Sequence, residues 1–304
     1  MPYADLAARL PSRTDHWASR AFEAELTEWL SGCVGEVRVL ARAKLRVWAT
    51  VWTVETSDRR FFAKQNCQLQ SFEAGLVAEL AALVPDRVVP VAAVDAERGL
   101  LLTPDQGQVL SEAVAEDDLD VWERVVAAGA DLQRSLVPHA DRLDAAGLTR
   151  LGPADAPSYA AARLEELAGL PERDSRALGE EEAGALRAHL PRVQAWADQV
   201  AALGLPVTLN HNDLHDNNVF KVGEELRFFD FADSVLGDPH GCLLVPLNLL
   251  AHRLDAGPAG PRLWRVADAA LEVWSDQAPL AELRRALPAA LQLARLGRVE
   301  SWAR

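Results

Sequence analysis

The sequence predicts an α+β protein in two parts: a small antiparallel sheet with leading helices, then a larger and mostly helical region. Three observations predict it. Period-two alternation is concentrated between residues 37 and 54, helical periodicity dominates after residue 107, and the 304-residue chain exceeds the length at which one core tends to split. Hydrophobic residues make up 49% and charged residues 25%, enough apolar surface to offset the entropy of ordering, so wholesale disorder is excluded.

The elements follow in order. Trp17, Phe22, Leu26 and Leu30 recur at helical spacing, predicting one or two amphipathic helices over 3–31 with a break at Pro11. From Val37 to Val54, Val37, Val39, Ala41, Ala43 and Leu45 alternate with Arg38, Arg42, Lys44 and Arg46, as in a half-buried strand. A reversal near 42–47 would make it a hairpin, although no glycine marks the turn. Asp58 and Arg59 mark the next turn, and Arg60–Lys64 the third strand. A helix follows from Leu69 to Leu83, stopped by Pro85 and Asp86. Val88–Val94 and Leu100–Thr103 are short strands around a turn at 95–99. Pro104–Gly107 punctuates the chain, which divides it into 1–103, a connector at 104–107, and 108–304. Beyond it, 118–136, 180–203 (kinked at Pro191) and 261–304 (broken at 277–279) are helical, while Val207–Asn210 and Leu226–Phe229 are strands.

Charge and cysteine content narrow the function classes. Lys and Arg number 31 and Asp and Glu 45, a net charge of −14 that repels phosphate backbones and argues against nucleic-acid binding. Cys33, Cys67 and Cys242 are odd in number and widely spaced, so no disulfide framework or cysteine-rich zinc site is expected. Cys67 and Cys242 read as small buried hydrophobes, and Trp48 and Trp52 as packing residues. With no signal-peptide pattern and no apolar run of membrane-spanning length, the expectation is a cytoplasmic monomer or homodimer without a membrane partner.

The most informative stretch is Thr208–Asp238. Its loop concentrates His211, Asn212, Asp213, His215, Asp216, Asn217 and Asn218, and Asp230 ends the following strand. Asp213, Asn218 and Asp230 are expected to converge at one end of a hairpin. Carboxylate and amide oxygens in a small cluster suit Mg²⁺, a hard cation that takes few protein ligands plus phosphate oxygens. A spare carboxylate can accept a proton from an incoming hydroxyl, which is the equipment of phosphoryl transfer. Upstream, Lys64 ends the third strand and needs a partner if partly buried. Glu73 on the next helix is preferred to Glu79, since residues six apart face opposite sides of a helix. A zinc reading of His211 and His215 lacks the helix that an H-E-x-x-H arrangement requires.

His211-Asn-Asp213-Leu-His-Asp-Asn-Asn218 resembles the catalytic loop of the aminoglycoside phosphotransferase family, within the protein-kinase-like superfamily, with Asn212 where that family usually has glycine. Phe228-Phe-Asp230-Phe-Ala-Asp233 resembles its second metal motif, and Gly237-Asp238-Pro239 the Gly-Asp-Pro that follows. The resemblance implies a two-lobed protein-kinase-like fold, with residues 108–304 as the catalytic and substrate lobe. It implies Asp213 as catalytic base, Asn218 and Asp230 as magnesium ligands, Lys64 as the nucleotide lysine and Glu73 as its helix partner. Leu100–Thr103 and Pro104–Gly107 resemble the hinge that holds adenine, which implicates Leu101, Thr103 and Asp105 in ATP binding. The glycine-rich phosphate loop of kinases is absent, and Arg42, Lys44 or Arg46 would supply charge there instead.

The implied activity is ATP-dependent transfer of the γ-phosphate to a hydroxyl of a small molecule, such as an aminoglycoside or another antibiotic. The competing class is a catalytically weak or regulatory kinase-like nucleotide-binding protein. A protein kinase is disfavoured because no Ala-Pro-Glu motif follows and only seven residues separate Asp230 from Asp238. Asp216, Asp233, Glu272 and Asp276 are the acids considered for the acceptor side, with Asp238 weighed as a brace for the loop.

Overall fold

The computed structural model describes residues 11–303, so the expected helix over 3–10 lies outside the described residues. In chain order the elements are α1 (Pro11–Ala18), α2 (Arg20–Val34), β1 (Val39–Leu45), β2 (Ala49–Glu55), β3 (Arg60–Asn66), α3 (Phe72–Leu83), β4 (Ala93–Asp95) and β5 (Leu100–Pro104). Then come α4 (Leu110–Ala113), α5 (Leu119–Leu136), α6 (Ala140–Ala145), β6 (Arg150–Leu151), α7 (Ala156–Ala168), α8 (Glu180–Arg187), α9 (Leu190–Ala201) and β7 (Thr208–Asn210). The chain ends with β8 (Val219–Val222), β9 (Glu225–Phe228), β10 (Val235–Gly237), α10 (Leu244–Arg253), α11 (Pro261–Leu271) and α12 (Leu280–Ala303). Two compact units result. One takes the chain up to Leu110 together with Val219–Ala232, and the other takes Ser111–Asn218 with Asp233–Ala303.

The first unit is built on an antiparallel sheet of five strands in the order β1-β2-β3-β5-β4. On one face lie Trp52, Val54, Phe61, Ala63, Leu100 and Leu102, packed against Trp17, Phe22, Leu26 and Leu30 of the leading helices. Phe22, Leu26 and Leu30 recur every four residues, so one stripe of α2 is apolar and buried. Ser19 caps that helix by accepting a hydrogen bond from Phe22 N at 3.1 Å, which sets a boundary between α1, beginning at Pro11, and α2. The β8–β9 hairpin is joined to this unit by backbone pairing. Phe228 N donates to Arg87 O at 2.9 Å and Val89 N to Phe228 O at 3.2 Å.

One strand expectation is resolved and another needs correction. Residues 37–54 form the hairpin and not a single half-buried strand. The chain reverses at 46–48, and β1 is mostly exposed with a register irregularity between Arg42 and Lys44. A bulge of this kind breaks period two, because one extra residue flips every side chain beyond it. The strands flanking the polar loop also do not pair with each other. β7 lies beside β10 in a three-stranded sheet of order β6-β10-β7, and β9 pairs with β8, a strand the sequence reading passed over.

The second unit is mainly helical. Asp118 caps α5 by accepting from Asp120 N and Val121 N. Gln133 then ties that helix to β7, its amide donating to Leu209 O at 2.9 Å and Asn210 Oδ1 at 2.8 Å. Asn210 in turn donates to Asp238 O at 2.9 Å. Its amide nitrogen lies only 2.6 Å and 2.7 Å from where Cβ atoms on Gly237 and Gly241 would stand, so both positions must lack a side chain. Asp238 accepts from His240 N at 3.1 Å and meets His240 Nδ1 at 2.6 Å, bracing the turn after β10.

Thiol chemistry checks this packing. Cys33 is exposed, whereas Cys67 and Cys242 are buried, and burial pushes the Cys242 thiol up to about 12. Labelling the native protein with a thiol reagent is expected to modify Cys33 first, with Cys67 and Cys242 reacting only on unfolding. Fast native modification of Cys242 would contradict the packing around β10.

Candidate active site

Two clusters of side chains carry the sequence-predicted chemistry, one in each unit. In the first unit, alternation along β3 sends Phe61, Ala63 and Gln65 to the face covered by α2, and Lys64 and Asn66 to the other. Lys64 Nζ meets Glu73 Oε2 on α3 at 2.7 Å and Asp230 Oδ1 at 2.6 Å. Asn66 donates to the same Glu73 oxygen. Burial works against the Lys64 charge, but the Asp230 and Glu73 carboxylates outweigh it and hold the ammonium above its ordinary pKa. Burial likewise raises Glu73, opposed by Lys64. Glu73 is almost wholly enclosed, and such a carboxylate is tolerated because Lys64 and Asn66 both donate to its Oε2.

Asp230 follows β9 with φ +63°, a left-handed backbone that aspartate tolerates better than most residues. Its neighbours are held by packing, with Phe229 stacked on Phe220 at 4.4 Å and Phe231 fully buried. Lys64 lies in register between Val51 on β2 and Leu101 on β5, so an aliphatic side chain flanks the amine on each neighbouring strand.

In the second unit the loop after β7 is bound to the C-terminal helix. Asn212 also has φ +63°, the conformation that glycine adopts freely and asparagine enters more readily than other side chains. Its amide donates to Asp233 O and Ser301 Oγ, each at 3.0 Å. Gly297 makes room for it, because a Cβ there would stand 2.9 Å from Asn212 Oδ1. Beside it, Arg298 Nη1 donates to Asn212 O at 2.7 Å and to Asp213 Oδ1 and Asp233 Oδ2, each at 3.1 Å.

Asp213 Oδ1 is therefore engaged by Arg298, while Oδ2 has longer contacts: Asn218 Nδ2 at 3.4 Å and His215 Nε2 at 3.5 Å. Burial opposes its ionisation, but His215 and Arg298 prevail and hold the carboxyl below its usual range. His215 Nδ1 accepts from Asn217 N at 3.1 Å, which leaves the ring proton on Nε2, facing Asp213. Asn218 Nδ2 also donates to Asp213 O at 3.0 Å, so its amide oxygen is the atom left for a cation.

The structure thus brings Lys64, Glu73 and Asp230 together in one unit, and Asp213 and Asn218 in the other. Leu101 and Thr103 belong to β5, and Asp105 turns the chain after it, accepting from Gly107 N at 2.9 Å. Asp105 N is itself bonded to Arg60 O at 2.9 Å. Arg42, Lys44 and Arg46 are all exposed near the β1–β2 turn, with Arg42 engaged by Trp17 O and the Trp52 ring and Arg46 donating to Leu45 O at 3.0 Å. Three of the four acids considered for the acceptor side have arginine partners: Asp216 with Arg253 at 2.8 Å, Asp233 with Arg298 at 3.1 Å, and Asp276 with both Nη atoms of Arg134. Sequence reading missed Asn66, Gly297, Arg298 and Ser301. Asn66 was reachable, since it shares the Lys64 face two residues on. The other three sit about 85 residues beyond the loop they hold, with no local signal.

Against known proteins, a sequence model of the phosphotransferase enzyme family matches residues 48–241. A search of curated proteins finds no match. Among solved structures, choline kinase LicA from Streptococcus pneumoniae is 14% identical at a TM-score of 0.57, covering 93% of this chain and 88% of its own. An ethanolamine kinase from Plasmodium vivax is 11% identical at 0.60, covering 85% and 74%. A thermostable mutant of aminoglycoside phosphotransferase APH(4)-Ia is 13% identical at 0.52, covering 89% and 99%. At such identities these likenesses show the fold, which is protein-kinase-like.

The left-handed backbone at Asn212 predicts an order of stabilities. Asn212→Gly keeps the conformation but loses two side-chain hydrogen bonds, at about 0.5–1.5 kcal/mol each. Asn212→Ala loses the same bonds and adds roughly 1–2 kcal/mol of backbone strain. Urea denaturation should rank wild type above Asn212→Gly above Asn212→Ala, and an alanine variant as stable as the glycine variant would contradict the geometry.

Proposed function

The chain belongs to the phosphotransferase enzyme family and is a small-molecule kinase; we propose that it moves the γ-phosphate of ATP to a hydroxyl of a small acceptor, with Asp213 as the base. The observation that carries this reading is the Lys64 ammonium held at 2.7 Å and 2.6 Å from Glu73 and Asp230. Lysine on a strand, glutamate on the next helix and aspartate after a distant hairpin make a fixed cation beside a carboxylate, as phosphate and metal binding require. A variant of APH(4)-Ia solved with AMP-PNP and hygromycin B, 13% identical at a TM-score of 0.51 over 89% of this chain and 98% of its own, supports the nucleotide assignment.

The roles divide as follows. Lys64 binds the nucleotide phosphates, and Glu73 keeps the amine charged and aimed. Val51 and Leu101 offer apolar surface beside it, and the β5 strand with its following turn, including Thr103 and Asp105, forms the adenine side. The donor set suits magnesium, which takes oxygen ligands and few of them from protein. The Asn218 amide oxygen and the Asp230 carboxylate are the candidate ligands, and the bound cation would neutralise phosphate charge. Asp213 orients the acceptor hydroxyl through Oδ2, the oxygen that Arg298 does not engage. As the acceptor oxygen bonds to the γ-phosphorus, the bond from that phosphorus to the β,γ-bridging oxygen breaks, ADP leaves, and the hydroxyl proton passes to Asp213. His215, with its proton on Nε2, stabilises the ionised base until then.

Two substitutions separate chemistry from binding. Asp213→Ala is expected to lower kcat by about 10²–10⁴-fold while nucleotide affinity stays within about threefold. Asp230→Ala should instead weaken Mg²⁺–ATP binding, measured by titration calorimetry with and without magnesium. Near wild-type turnover by Asp213→Ala would refute the base assignment.

A further inference from the structure

We propose that Arg298 is a specificity-determining residue: its guanidinium takes, from within the chain, the place that an ammonium group next to the reacting hydroxyl would occupy, so the acceptor is an uncharged or anionic alcohol and not a polyamine. The inference rests on the phosphotransferase reading above, with Asp213 as base.

A polycationic acceptor needs open carboxylates beside the catalytic one. Here one guanidinium nitrogen lies 3.1 Å from Asp213 Oδ1 and 3.1 Å from Asp233 Oδ2. An ammonium approaching that pair meets a cation already installed, and like charges at such range repel.

The guanidinium is also held in place. It donates to Asn212 O at 2.7 Å, the residue before it is wedged against the Asn212 side chain, and Ser301, one turn further along α12, bonds Asn212 and Asp233 O. Four contacts therefore fix the start and the end of the same helical turn against the loop. Three further acids of this unit follow the same pattern. Asp216 is buried against Arg253, Asp276 is gripped by Arg134, and Glu300 is bonded by Arg163 and Tyr159. The net charge of −14 therefore does not translate into free carboxylates at Asp213.

The test is a calorimetric titration of kanamycin A, the polycationic probe, into wild type and into variants at Arg298. Wild type is expected to bind with a Kd of about 1 mM or weaker, and Arg298→Gln at least about tenfold more tightly, because two carboxylates are then left facing the amine. Arg298→Lys keeps the charge and should behave as wild type. Arg298→Gln combined with Asp233→Asn should lose the gain, which a general loosening of the fold would not do. Arg298→Met, which retains the aliphatic stem, serves as the second removal of charge if the glutamine variant does not fold. Wild-type binding tighter than about 1 mM, or charge-removed variants binding no more tightly than wild type, overturns the proposal. A parallel Mg²⁺–ATP titration of wild type tests the phosphotransferase reading by itself, so failure of that reading is told apart from failure of this one.

Discussion

A charged amine enclosed beside a sheet is tolerable only if carboxylates surround it, and that constraint organises the first unit. Lys64 emerges from β3 on the face away from α2, where water is scarce and its charge would otherwise be costly. Glu73 answers it from α3 and Asp230 from beyond β9, so three separate stretches of chain are drawn to one ammonium. Asn66, on the same face as Lys64, adds a donor to Glu73 and leaves that buried carboxylate few ways to rearrange. Removing one partner would leave an uncompensated charge, which is why such a cluster specifies one arrangement more than it adds stability.

The second unit solves a different problem. Its loop must turn sharply at Asn212 in a left-handed conformation and still present Asp213 in a fixed orientation. Local backbone preference opposes this, and contacts from the far end of the chain supply the compensation. Gly297, Arg298 and Ser301 meet the loop within little more than one helical turn of α12, each in a different way: by absence of a side chain, by charge and by hydroxyl hydrogen bonding. The asparagine that stands where the related loop has glycine is accommodated because its amide is absorbed into this network. The same helix thereby sets both the orientation of Asp213 and the charge beside it.

Composition and alternation alone determined that this chain has a small antiparallel sheet followed by helices. They placed Lys64 on a strand and Glu73 on the following helix, and the spacing from Asp213 through Asn218 to Asp230 announced phosphoryl-transfer chemistry. These features are local, and periodicity and short motifs record local structure directly. What only the tertiary structure decided is which strands pair and which distant residues meet. It separated β7 from β9, assigned residues 219–232 to the first unit, and seated Arg298 on Asp213 across 85 positions of sequence. Strand partners and arginine partners are chosen by packing among surfaces far apart in the chain, and a repeating pattern within one segment carries no information about which surface it will meet.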